Sequence, residues 1–129
     1  MNEANMQTIF GHWLKAKWKG STAFELKICK EKRFNLKKIE LHQLANLHQA
    51  KHGLFYFKIP DLGSQCPFDC FTLNKTESYL VIMFYVPRQE KRFYMIDIDK
   101  ILKLIKNGAK SITKNEASIL ADYTDILKS

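Results

Sequence analysis

The chain has 129 residues, 46% of them hydrophobic and 12% aromatic, with few glycines and prolines; that is the size and composition of one folded domain, and it excludes a disordered or collagen-like chain. No apolar run approaches the roughly 20 residues that cross a bilayer as a helix, and MNEANMQTIF lacks the layout of a signal peptide, so a cytoplasmic location is expected. The net charge is +8, concentrated in residues 1–60 with 11 Lys/Arg against 4 Asp/Glu, while residues 61–129 carry 10 against 9; such a field suits nucleic acid, although an anionic membrane surface would also be attracted.

Met6, Ile9, Phe10, Trp13 and Leu14 recur at helical spacing and predict a first helix from about Glu3 to Trp18. After Gly20, the run from Thr22 to Ile28 alternates, with Phe24, Leu26 and Ile28 on one face and Glu25 and Lys27 on the other, which predicts a half-buried strand. Asn35 is a candidate N-cap for a helix from about Leu36 to His52, with Phe34 and Ile39 placed as a staple and Gly53 as its end. Leu54 to Ile59 reads as a strand stopped by Pro60, and a polar loop follows to Cys66.

Phe68 to Leu73 and Ser78 to Val86 read as two strands joined in a hairpin, the second apolar enough for a sheet interior. Phe93 to Ile98 predicts a further strand. A short helix then ends near Gly108, and a last helix is expected from about Lys114 to Leu127, packing Ala117, Leu120, Ala121 and Tyr123. Cys29, Cys66 and Cys70 lack CxxC spacing and read as free thiols.

Chemistry concentrates at Glu25-Leu26-Lys27. A period of two points its carboxylate and ammonium the same way, roughly 6–7 Å apart along the backbone. Such a pair suits metal-assisted phosphodiester hydrolysis, the carboxylate and the Leu26 carbonyl holding a hard cation and the lysine orienting water or balancing charge on phosphate. The bland alternative is a salt bridge on an exposed strand face. A second carboxylate is needed, and Asp69, in Cys66-Pro67-Phe68-Asp69-Cys70-Phe71, is the leading candidate, against a turn-capping role; Asp61 after Pro60 is the other.

Phe24-Glu25-Leu26-Lys27, the basic loop after it and a helix carrying His42-Gln43 resemble the E-x-K strand and following helix of RecU-type Holliday junction resolvases, which are PD-(D/E)xK nucleases. The resemblance extends through Tyr79 to Tyr85 and Phe93 to Asp97, covering about residues 3–105. It implies an α/β restriction-endonuclease-like fold, a central mixed sheet of about five strands flanked by helices, cleavage of branched DNA with Mg²⁺ or Mn²⁺, and a homodimer that cuts two strands symmetrically. Pro67-Phe68-Asp69 resembles the family's "PD" hairpin, but it follows the E-x-K where the family places its Asp before it, and Leu80 to Phe84 stands where the family has its Glu and Lys. The two roles are therefore read as moved to Glu25 and Lys27.

Within the resemblance, Glu3 matches an acidic position on the first helix beside the metal, the alternative being a first-turn acid favoured by the helix dipole. Gln43 matches a glutamine near the site, the alternative being an exposed helix amide. The expected catalytic residues are thus Glu25, Lys27, Asp69 and Gln43, with Glu25, Asp69 and Glu3 as metal ligands. Lys15, Lys17, Lys19, Lys30, Lys32, Arg33, Lys37 and Lys38 bracket the E-x-K and are expected to contact DNA phosphates without reading sequence. His48 and His52, four apart on the predicted helix, have the spacing to share a metal, but no third ligand is evident in the sequence, which favours phosphate contact or solvation.

Overall fold

The computed structural model describes residues 1–18, 20–58 and 70–128. Its central sheet has four strands in the order β1-β5-β6-β8: β1 (Thr22–Cys29), β5 (Glu77–Phe84), β6 (Lys91–Asp97) and β8 (Tyr123–Leu127). β1 runs parallel to β5, and the other two pairings are antiparallel. The sheet is therefore mixed, with helices on both faces. A parallel pair needs a long crossover, and the segment between β1 and β5 supplies it, carrying the helix α2 (Leu41–His52).

The two faces hold separate clusters. On one side, α1 (Glu3–Lys17) buries Met6 and Phe10 against Tyr79, Val81, Met83, Phe93 and Met95, with Phe24, Leu26 and Ile28 packed around them. On the other, Leu44 and Leu47 of α2 meet Leu80, Ile82, Tyr94 and Ile96, together with Ile98 and Ile101 of α3 (Ile98–Lys106) and Ala117 of α4 (Lys114–Leu120). Covered on both faces, β5 is buried from Ser78 to Phe84, which is why it reads as a continuous apolar run and does not alternate.

Asn35 does cap a turn, accepting from the Lys37 amide at 2.9 Å, but that turn is a short 3-10 helix over Leu36–Lys38. The chain then extends at Ile39, and α2 begins only at Leu41. Leu36 and Ile39 both enter the core on either side of the break. A three-residue strand, β2 (Arg33–Asn35), pairs antiparallel with β7 (Ser111–Thr113) and sets Phe34 opposite Ile112.

The expected hairpin between residues 68 and 86 is not formed. β4 (Cys70–Asn74) pairs with β3 (Leu54–Lys58), while β5 enters the central sheet between β1 and β6. The Thr76 amide donates to the Ala50 carbonyl at 2.7 Å and the Lys75 amide to that of Gly53 at 3.1 Å. These bonds satisfy carbonyls at the end of α2 and lead the chain out of the small sheet into the large one.

The last expected helix also divides. α4 stops at Leu120, and Tyr-Thr-Asp-Ile-Leu forms β8 on the edge of β6. β-branched and aromatic residues favour a strand, and the pairing covers the backbone edge of β6 while burying Leu127. Asp125 of β8 then ties down α1: its Oδ2 accepts from the Trp13 indole at 2.8 Å and from Lys17 at 3.4 Å. The Trp13 hydrogen bond and the Ile126 backbone amide hold the Asp125 carboxyl below its ordinary value of 3.8. A lowered carboxyl pKa contributes stability that is present above the unfolded value and is lost as pH falls through the folded one. Asp125→Asn is accordingly expected to flatten the acid limb of a thermal-stability profile below about pH 4 and to leave it parallel to the parent near neutrality.

No helix is long and apolar enough to cross a membrane among the described residues.

Candidate functional site

Glu25 and Lys27 face α2 because their neighbours are committed to the opposite side. The Phe24 ring lies 5.3 Å from Phe10 and 5.9 Å from Trp18, both near perpendicular, and Leu26 and Ile28 pack in the same cluster. A one-residue slip of β1 would drive a carboxylate and an ammonium into that aromatic core, so the register is strongly specified. Glu25 stands opposite Leu80 and Lys27 opposite Ile82 in the parallel ladder.

The two side chains meet a third from α2. Gln43 donates from Nε2 to Glu25 Oε1 at 2.7 Å, and Lys27 Nζ lies 3.7 Å from the same oxygen. Gln43 is oriented by its own helix: its Oε1 accepts the Glu40 amide at 3.0 Å at the start of α2, which turns its NH₂ toward Glu25. The Lys27 side chain is 13% exposed and that of Glu25 28%, a depth at which an ion pair is better shielded from solvent than on an open surface. Both contacts fall on Oε1, so an incoming cation would meet Oε2.

Glu25, Lys27 and Gln43 are therefore brought together. Glu3 lies exposed in the first turn of α1, on the helix that covers the opposite face, and among the described residues no hydrogen bond or ion pair links it to Glu25. Asp69 and Asp61 lie outside the described residues, as does Lys19. The strand that follows Asp69, β4, pairs with β3 and is not a neighbour of β1, so the convergence of Asp69 with Glu25 does not follow from direct strand pairing.

The basic residues form two groups. Lys15 and Lys17 close α1, near the start of β1, where the Trp18 indole donates to Thr22 Oγ1 at 2.9 Å. Lys30, Lys32, Arg33, Lys37 and Lys38 follow the end of β1 and are exposed. Eight strand residues separate the groups by roughly 25 Å, with Glu25 and Lys27 between them. Two cations are partly neutralised, Lys17 by Asp125 at 3.4 Å and Arg33 by Glu116 at 3.7 Å.

A second polar cluster joins the end of α2 to the start of α3. Lys51 Nζ lies 2.8 Å from both Asp97 carboxylate oxygens and 2.7 Å from Asp99 Oδ2, and His52 Nε2 lies 2.8 Å from Asp99 Oδ1. Burial acts to lower the Lys51 pKa, but hydrogen bonds to the two carboxylates outweigh it and raise the group above its ordinary value. Burial likewise acts to raise Asp99, and hydrogen bonds from Lys51 and His52 outweigh it, holding the carboxyl below the usual range. Asp97 also caps α3, accepting from the Asp99 amide at 2.8 Å. The third partner for His48 and His52 thus comes from another helix; the signal for it was the Asp97-Ile98-Asp99 strand-to-helix junction, whose Asp97 has the form of an N-cap.

No protein-family model, curated protein or solved structure matches this chain.

Proposed function

We propose that this chain is a Mg²⁺- or Mn²⁺-dependent DNA endonuclease with a restriction-endonuclease-like fold, acting on branched DNA as a homodimer. The observation that carries the reading is the convergence of Glu25, Lys27 and Gln43, a strand E-x-K joined by an oriented amide from the following helix. The mixed sheet between helical layers is compatible with that fold. Magnesium is commonly held by one or two carboxylates, its other positions filled by water and substrate phosphate; Glu25 meets the lower limit of that donor set. Asp69 is the second ligand in this proposal; Glu3, on the helix that covers the opposite face of the sheet, is not part of it.

A divalent ion there would neutralise charge at the scissile phosphate. Lys27, held beside Glu25 on a rigid strand, balances charge developing on the phosphate or orients a water molecule, and Gln43 fixes the Glu25 rotamer. The lysines at either end of β1 contact phosphates and position the duplex arms, a role for which compact point charges suffice.

A second reading, a DNA-binding protein that keeps the fold without cutting, is favoured by one observation: Glu25 Oε1 is already occupied by Lys27 and Gln43, as in a self-contained structural ion pair. A synthetic four-way junction incubated with and without Mg²⁺ separates the two. The nuclease reading expects binding in both conditions and cleavage only with the metal; binding without cleavage in either supports the second reading. Absence of binding at low ionic strength removes both. Affinity is expected to fall about a thousandfold or more between 50 and 200 mM salt if six or more phosphates are contacted, and to depend little on sequence; a filter-binding titration checks this.

A further inference from the structure

We propose that His48, His52 and Asp99 form a binding site for a zinc-class divalent ion, separate from the Glu25 cluster and independent of the nuclease reading. The imidazoles are one helical turn apart on α2, with ring centroids 4.7 Å apart, the spacing at which i and i+4 side chains share a face. Asp99 arrives from the first turn of α3. One donor atom from each of the three lies within 4.8 Å of the others.

The donor chemistry selects the ion. Two imidazole nitrogens and one carboxylate oxygen suit zinc, nickel or copper, whereas magnesium takes oxygen ligands. Three protein ligands leave one tetrahedral position to water, as in open zinc sites. Bonds of about 2.0–2.2 Å bring tetrahedral ligand atoms to about 3.4 Å from one another. The His52 Nε2 to Asp99 Oδ1 contact at 2.8 Å must therefore open slightly as the ion takes the place of the bridging proton, which passes to His52 Nδ1 or to solvent, and the exposed His48 must close on the other two ligands.

Lys51 supports the arrangement. It bridges Asp97 and Asp99 Oδ2, holding the Asp99 carboxylate where His52 Nε2 lies 2.8 Å from Oδ1 and 3.0 Å from Oδ2, the kind of outer contact that orients metal ligands. Two carboxylates against one ammonium leave this group with one net negative charge to offset a cation. A bound ion would clamp the last turn of α2 to the first turn of α3.

Titration of the full chain with zinc chloride by calorimetry is expected to show one site per chain. His48→Ala and Asp99→Asn should each weaken it by at least about tenfold, and His12→Ala, at an exposed histidine on α1, should leave it unchanged. Zinc should also raise the melting temperature of the parent and not of His48→Ala, because an ion that binds only the folded state stabilises it. His48 is exposed, so its replacement is expected to fold normally and decides the matter even if Asp99→Asn does not fold. No zinc binding by the parent, or binding unchanged in His48→Ala, overturns the proposal. Loss of Mg²⁺-dependent junction cleavage with zinc binding intact would count against the nuclease reading alone.

Discussion

Lys27→Met and Glu25→Gln are each expected to reduce junction cleavage by about 100-fold or more while leaving junction binding within a few fold of the parent. The magnitude is that of removing one well-placed charge stabiliser from a transition state. In the proposed reading binding is spared because it rests on the several lysines at the two ends of β1 and not on the pair itself. Methionine keeps most of the Lys27 stem, so little packing is lost around a side chain that is only 13% exposed. Glutamine preserves the shape of Glu25 and its reach to Gln43 but removes the charge a hard cation requires. Asp69→Asn tests the proposed second ligand in the same assay. Gel-based cleavage under single-turnover conditions, paired with thermal unfolding of each variant, makes the measurement. If Lys27→Met and Glu25→Gln cut as well as the parent, the cluster is a structural ion pair.

Phe93→Ala is expected to destabilise the protein by about 3–5 kcal/mol, a large share of the roughly 5–15 kcal/mol that holds a domain folded. Phe93 is 0% exposed. Its ring packs edge-on against Phe10 at 5.2 Å and Trp13 at 4.8 Å, so its removal opens a void where α1 meets the sheet and breaks two aromatic contacts together. Neighbours from a rigid sheet and a helix anchored by Asp125 have little room to collapse into that space. Ile119→Ser, at a position 82% exposed on α4, is the matched control and is expected to shift stability by no more than about 0.5 kcal/mol. Urea unfolding of the two variants gives the comparison; similar midpoints would mean that the α1 face contributes far less than its packing indicates.

Local chemistry in the sequence was sufficient for elements whose pattern is set by their own residues. The three- and four-residue spacing of Met6, Phe10 and Trp13 defined α1, and the alternation from Phe24 to Ile28 placed Glu25 and Lys27 together on the face opposite the aromatics. The apolar run of β5 marked a strand covered on both sides. Gln43 was suggested by resemblance, but its contact with Glu25 required α2 to start at Leu41, set by a capping interaction with Glu40.

Long-range pairing decided the rest. Phe34 opposite Ile112, β4 against β3 and not β5, and Tyr123–Leu127 as an edge strand all depend on which backbone edge is available in the folded chain. Hydrogen-bonding groups on a sheet edge are satisfied by whichever segment the fold brings near, and a three- to five-residue stretch carries too little periodicity to announce its partner. Asp99 reaches His52 for the same reason: the helices that carry them are distant in sequence and adjacent only after the sheet has formed.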